Sequence, residues 1–397
     1  MHDLGAATAA PQTDERHAWL AHADLLTGAG DPRGEAIRLE LGDGASGPDP
    51  VALAAVHRDV ERYLGLEELR EDGSWVFTWR LGFIDEARFR LAPATRARRQ
   101  DLVARLRAAL PHAAAVDPAD PADPEQWEGA LIDALLSHPA ARRLRALDLR
   151  LTDYHHSAEQ AAVSLAAHPR PRLERLSFGY NFEDLYEDGV TSAGRRIDPL
   201  GFHGEGLVRT DIWDAVPALR TLELEGAFLF HSVDHEHLTT LRVRGPVISD
   251  GSVFAVGRTP ALASLAVEIG VDVFGTACPA EQLDELTPAS HPALRRLDLS
   301  RAEFDAGSLA VLSALADSPV LPQLESLTIG DLTIRHHDCN GEPSAALAAL
   351  APRFAHCALH VSGSIEVEGA DGEQTARILA AFGPSRGGDR RTGHPRP

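Results

Sequence analysis

One short pattern of apolar and free positions recurs along this chain: apolar, two free, apolar, one free, apolar. It occurs as Leu144, Leu147, Leu149; Leu173, Leu176, Phe178; Leu219, Leu222, Leu224; and Leu238, Leu241, Val243. It returns as Leu262, Leu265, Val267; Leu294, Leu297, Leu299; and Leu324, Leu327, Ile329. A weaker copy opens the series at Ile84, Ala87, Phe89, and a degenerate one closes it near Leu359 and Val361. The central residues fall at 87, 147, 176, 222, 241, 265, 297, 327 and 359, so the spacing runs from 19 to 60 residues. Pro217, Pro260, Pro292 and Pro322 lead into several copies. Alternate side chains at the end of each copy share a face, as a β-strand requires. Neighbouring copies therefore predict a parallel sheet whose leucines fill one continuous core, since a single copy cannot bury that face alone.

Between the widely spaced copies the apolar period lengthens to that of a helix. Asp123 is a cap and Pro124 suits a first helical position, which predicts a helix to about Ser137 with Trp127, Leu131, Ile132 and Leu135 on one face. Similar patterns predict helices over Ser157–Ala167, Asp305–Ala316 and Pro343–Ala351. The 19- and 24-residue intervals are too short for a full helix and predict strand and loop.

Upstream, Trp19, Ala23 and Leu26 mark one helical face, ended by Gly28 and Gly30. Asp31 and Pro32 start a second helix carrying Ile37 and Leu41, so the two predict a helical hairpin. A third helix is predicted from Asp49 and Pro50 to about Leu69, with Leu53, Val56, Val60, Tyr63 and Leu64 inward. The aromatic residues Trp75, Phe77, Trp79 and Phe83 are placed to seal the open end of the sheet, since an exposed end needs a cap.

On these residues the stretch from Gly82 to Val367 resembles the leucine-rich-repeat family. The resemblance implies an α/β fold: a leucine-rich-repeat solenoid, a curved parallel sheet with helices and loops on its convex side, preceded by a small helical domain. One departure is plain. The Asn or Cys that the family carries three residues after the last apolar position reads Thr152, Asn181, Ala227, Pro246, Gly270, Ala302 and Leu332, which implies a less regular arc. An apolar residue two further on persists as Leu229, Ile248, Phe304 and Ile334. The segment HAWLAHADLLTGAGDPRGEAIRLEL, residues 17–41, is similar to the short companion motif that precedes repeat arrays in many bacterial proteins. The expected domains are a helical companion at 1–70, the solenoid at 71–382 and a disordered Gly/Pro/Arg-rich tail at 383–397.

Composition narrows the function. The formal net charge of −21 opposes non-specific attachment to nucleic acid or anionic membrane, and all 38 basic residues are Arg. Residues 1–12 lack the basic flank and apolar core of a signal peptide, and no stretch reaches the roughly 20 apolar residues of a membrane span. Three cysteines without CxxC spacing fit a reducing compartment, so the expectation is a cytoplasmic monomer.

No Ser/His/Asp or Cys/His arrangement supports catalysis, and no cofactor is expected. His231, Asp234, His235 and His237 could ligate zinc, as could His336, His337, Asp338 and Cys339, but both read first as polar loops. The 179–210 interval interleaves Tyr180, Phe182 and Tyr186 with acidic residues and suits a basic protein partner or, equally, a loop packed over the sheet edge. The outward row of the strands carries Arg88, Arg90, Asp148, Arg150, Glu223, Glu225, Arg242, Arg244, Glu268 and Asp298, expected to form a contact surface or a solvated face with salt bridges between adjacent repeats. Banded mixed charge suits selective protein recognition and fits nucleic acid poorly. The expected function is a non-catalytic scaffold holding a protein partner on this face and the 179–210 insertion. The alternative is an accessory of an enzyme or modification pathway with a metal at a His cluster.

Overall fold

Each apolar triplet becomes a buried turn followed by a strand. Leu144, Leu173 and Leu219, and likewise Leu238, Leu262, Leu294 and Leu324, are buried at the entry, and the next apolar position of each copy is buried beneath the sheet. Burial of one such leucine contributes about 1.5–3 kcal/mol. The computed structural model describes residue 11 and residues 15–42, 49–67, 75–90, 124–151, 158–180, 208–226, 229–230, 232–246, 258–270 and 278–382. Its side chains from 124 to 127, including Trp127, lie outside that description, as do Asp123, His155, His156 and the 383–397 tail. The described residues form two compact units, within Met1–Glu187 with His203–His231, and within Ser232–Pro397.

In the first unit the sheet runs β1 (Trp75–Arg80), β2 (Phe83–Arg90), β3 (Ala146–Leu151), β4 (Arg175–Tyr180), β5 (Thr221–Glu225). β1 and β2 are antiparallel, and every later pair in this unit is parallel. Ala87, Leu147, Leu176 and Leu222 lie in one register row, so the weak first copy is a true member of the series. One carbonyl per repeat sets that register. Arg145 O accepts the N–H groups of Glu174 (2.9 Å) and Arg175 (3.0 Å), and Glu174 O accepts those of Arg220 (2.9 Å) and Thr221 (3.0 Å).

Among the described residues of this unit the helices are α1 (Arg16–Gly28), α2 (Arg33–Leu41), α3 (Pro50–Leu64), α4 (Pro124–Ser137) and α5 (Glu159–Ala167). α3 ends at Gly65, whose φ of 72° takes the left-handed conformation of a C-terminal cap. α4 and α5 approach closely at Gly129, where a Cβ would meet that of Gln160 at 2.6 Å. Trp19, Ala23, Leu26 and Ile37 form one core with Phe83 of the β1–β2 hairpin. Asp31 and Arg33 are buried together (2.5 Å), and the Arg33 guanidinium lies 5.4 Å from the centre of the Phe83 ring.

In the second unit the sheet runs β6 (Thr240–Pro246), β7 (Ser264–Gly270), β8 (Arg296–Ala302), β9 (Ser326–Ile329), β11 (Ala358–Val361), with all pairs parallel. The same carbonyl device recurs: Ala263 O accepts from Arg295 and Arg296, both at 3.0 Å, and Arg295 O from Glu325 (2.8 Å) and Ser326 (3.1 Å). Among its described residues the helices are α6 (Ser308–Asp317), α7 (Pro343–Leu350) and α8 (Gly372–Leu379). β10 (Leu332–Ile334) and β12 (Ile365–Val367) add a two-stranded parallel ladder. No helix among the described residues is long and apolar enough to cross a membrane.

Two features depart from the sequence reading. The aromatic stretch from Trp75, expected to cover the open end of the sheet, is itself an antiparallel strand, joined to β2 by a tight turn with φ positive at both Leu81 (51°) and Gly82 (73°). The four aromatic residues divide into two groups: Phe77 joins Trp75 to Trp79 along β1, whereas Phe83 joins the helical core. Trp75 packs on Phe77 and Phe89, Trp79 stacks on His57, and Phe83 turns to Trp19.

Candidate functional site: the charged face of the sheet

Strand alternation puts the apolar positions beneath the sheet and aligns polar ones on the other face. In the first unit the parallel register gives three rows: Glu86, Ala146, Arg175, Thr221; then Arg88, Asp148, Ser177, Glu223; then Arg90, Arg150, Gly179, Glu225. The side chain of Arg90 lies outside the described residues. Charges of opposite sign meet across adjacent strands. Arg88 contacts Asp148 at 3.0 Å, and Arg175 on β4 reaches Glu86 on β2 across Ala146.

Arg150 is the centre of this face. Its guanidinium contacts Asp148 (2.7 Å), Glu225 (2.6 Å) and, more loosely, Glu223 (3.8 Å). Burial works against its charge, but the carboxylates of Glu225 and Asp148 outweigh that effect and raise its pKa further. Gly179 sits between Arg150 and Glu225 in the row, so no side chain obstructs the bridge over β4. Above the first two rows a groove of about 370 Å³ is floored by Ala146, Ser177 and Thr221 and edged by Val76, Arg88 and Arg175.

In the second unit Glu268 holds three arginines: Arg301 at 2.8 Å, Arg242 at 3.2 Å and Arg244 at 3.3 Å. These contacts correct one expectation. Glu225, Arg244 and Glu268 are buried within ion-pair networks on the outer face and do not stand in solvent. Long side chains on adjacent strands fold over one another there, and burial among opposite charges replaces hydration.

Other candidates separate on inspection. Tyr180 is 4% exposed, with its ring against Gly226, so it belongs to the packing of β4 on β5. Tyr186, like residues 181–207 of the insertion generally, lies outside the described residues, as does His231. His235 is buried and its Nδ1 accepts the backbone N–H of His237 at 3.2 Å, a turn-forming contact. His336 donates its backbone N–H to Glu368, His337 lies 3.5 Å from Asp338, and the Cys339 thiol points to the carbonyl of Gly341. Among the described residues no group of three or more His, Cys, Asp or Glu could hold a metal ion. Burial pushes the thiols of Cys278 and Cys357 up to about 12 and about 11, which removes both as nucleophiles near neutral pH.

Glu86, Arg175 and Arg301 belong to the face but were not singled out from the sequence. The first two follow from extending the same alternation by one step. Arg301 does not, because alternation from Leu297 and Leu299 puts it beneath the sheet.

No known family model matches the chain, and no curated protein matches it. Among solved structures it is similar to a protein from Bacteroides fragilis, at 17% identity and a TM-score of 0.45, over 64% of this chain and 67% of that one.

Proposed function

We propose that the chain is a non-catalytic binding scaffold of the leucine-rich-repeat kind, which holds a protein partner on the charged face of its sheet. The observation that carries this is the groove over β1–β5, whose small floor residues leave room between arginines and carboxylates already fixed in rows. Side chains ordered before contact lose little freedom on binding, and alternating sign rejects partners of the wrong pattern. The 179–210 segment adjoins this reading as a second contact element. The three cysteines are free, which supports a reducing, cytoplasmic setting.

The test is crosslinking with mass spectrometry in the native host, followed by reconstitution with the purified partner. Crosslinks should map to β2–β5, and Arg88→Glu with Arg175→Glu should weaken the complex at least tenfold while costing no more than about 1 kcal/mol of stability per exposed pair. Crosslinks confined to the helices, or a complex indifferent to both reversals, would remove this face from the function.

A further inference from the structure

The repeat pattern is broken at one point on the open face, and the break repositions a charged residue. Ala266 pairs with Asp298, but Glu268 pairs with Arg301, so β8 holds one residue more than β7 between those rungs. A strand with an extra residue bends and re-aims the side chains that follow it. Without this bulge Arg301 would point into the core after Leu297 and Leu299. With it, Arg301 emerges on the face carrying Arg242 and places Nη1 2.8 Å from Glu268 Oε2. Arg242 Nη2 reaches the same oxygen at 3.2 Å. Two guanidinium groups thus share one acceptor atom.

Glu268 is only 8% exposed and fixes both forks from below, whereas Arg242 and Arg301 remain 37% and 49% exposed. Among the described residues neither guanidinium has another hydrogen-bond or ion-pair partner. A guanidinium carries five N–H donors, so most of theirs face outward. They border a groove of about 200 Å³ lined also by Ala266, Asp298 and Ser300. Asp298 is engaged with the backbone N–H of Ser300 at 2.9 Å and forms no ion pair with either arginine.

We propose that Arg242 and Arg301 form a carboxylate clamp, which takes an aspartate or glutamate side chain of the protein partner. A second carboxylate between the two forks relieves their mutual repulsion and accepts hydrogen bonds from both. Asp298 at the rim favours a singly charged group over a phosphate dianion. The clamp rests on the reading of this face as a protein-binding surface, and it assigns the acidic half of the contact to the partner.

The probe is fluorescein-labelled hexaglutamate, followed by anisotropy at low salt. The chain's net charge of −21 disfavours non-specific association of this peptide, and the arginine variants assign saturable binding to its site. Wild-type protein should bind it, more weakly as salt rises. Arg242→Gln with Arg301→Gln should weaken binding at least tenfold, and Arg353→Gln, which removes an exposed arginine elsewhere, should leave it unchanged. Ala266→Asp, which supplies a resident carboxylate at the groove floor without removing an arginine, should abolish binding in a protein that still folds. Absence of binding by the wild type, equal loss in Arg353→Gln, or displacement by phosphate at lower concentration than by free glutamate would overturn the clamp. A protein that holds its crosslinked partner through Arg88 and Arg175 yet ignores hexaglutamate would remove the clamp and keep the binding face. Hexaglutamate bound through the arginine pair, with no such partner found, would support the clamp against that reading.

Discussion

At the scale of single residues, Gly179 shows how a position that reads as unremarkable can decide the geometry of a face. Its φ is +154°, and a Cβ built there would lie 2.0 Å from the carbonyl oxygen of Glu225. The missing side chain permits both the close approach of β5 and the reach of Arg150 to Glu225 over β4. Gly179→Ala is expected to cost about 1–3 kcal/mol or more, because the strain of the backbone conformation adds to displacement of a neighbouring strand. Urea denaturation measures it, and a loss below about 0.5 kcal/mol would show that β5 can give way without penalty. The sequence made the apolar residues legible here, since Leu147, Leu176 and Leu222 announce their side of the sheet by alternation alone. It left Arg301 illegible, because a bulge is a property of two strands together and leaves no mark in one. The burial of Arg244 and Glu268 was hidden for a related reason: alternation assigns a face, but neighbouring side chains decide whether that face is wet.

At the scale of elements, the companion-like segment is explained by what it packs against. Trp19 and Phe83 meet edge to face at 6.0 Å, and a Cβ at Gly82 would lie 2.8 Å from that of Arg33. The turn between β1 and β2 is further tied down by Glu40, whose carboxylate accepts the Leu81 N–H at 2.7 Å. The helical hairpin and the strand hairpin therefore share one core, and removing the helices strips the apolar cover from Phe83. A fragment comprising residues 71–397 is expected to aggregate or to lose a cooperative melting transition, as calorimetry and light scattering would register. A soluble fragment with a single sharp transition would show that the strands hold without their helices. The helices themselves were legible from caps and period: Asp49 and Pro50 start α3, and Pro124 starts α4, where expected. The β1–β2 turn was not, because its first residue is Leu81, a poor signal for positive φ.

At the scale of the molecule, the core carries two histidines that make stability depend on pH. Burial lowers the pKa of His291, and burial together with the Arg33 charge lowers that of His22. Each binds its proton less readily folded than unfolded. Their stabilising contribution is thus complete above the ordinary value of 6.5 and declines as pH falls toward the lowered values. The unfolding free energy obtained from urea titrations should drop between pH 7 and pH 5.5, by up to about 1.4 kcal/mol per pH unit for each histidine. His291→Phe should flatten part of that slope, and an unchanged slope would place the effect elsewhere. The repeated architecture was legible because the same triplet returns many times, whereas the proposed partner was not, because the recognition we propose lies in a combination of charges and not in any single motif. The shared carbonyls have a broader consequence. Because one backbone oxygen per repeat meters each new strand against the last, the distance along the chain between strands has no bearing on where they land. The second unit accommodates 24 residues between β6 and β7 centres and 32 between β7 and β8 centres with the same ladder. Evolution is free to lengthen, trim or exchange the intervening loops, as an editor revises clauses between fixed punctuation, without composing the sheet again.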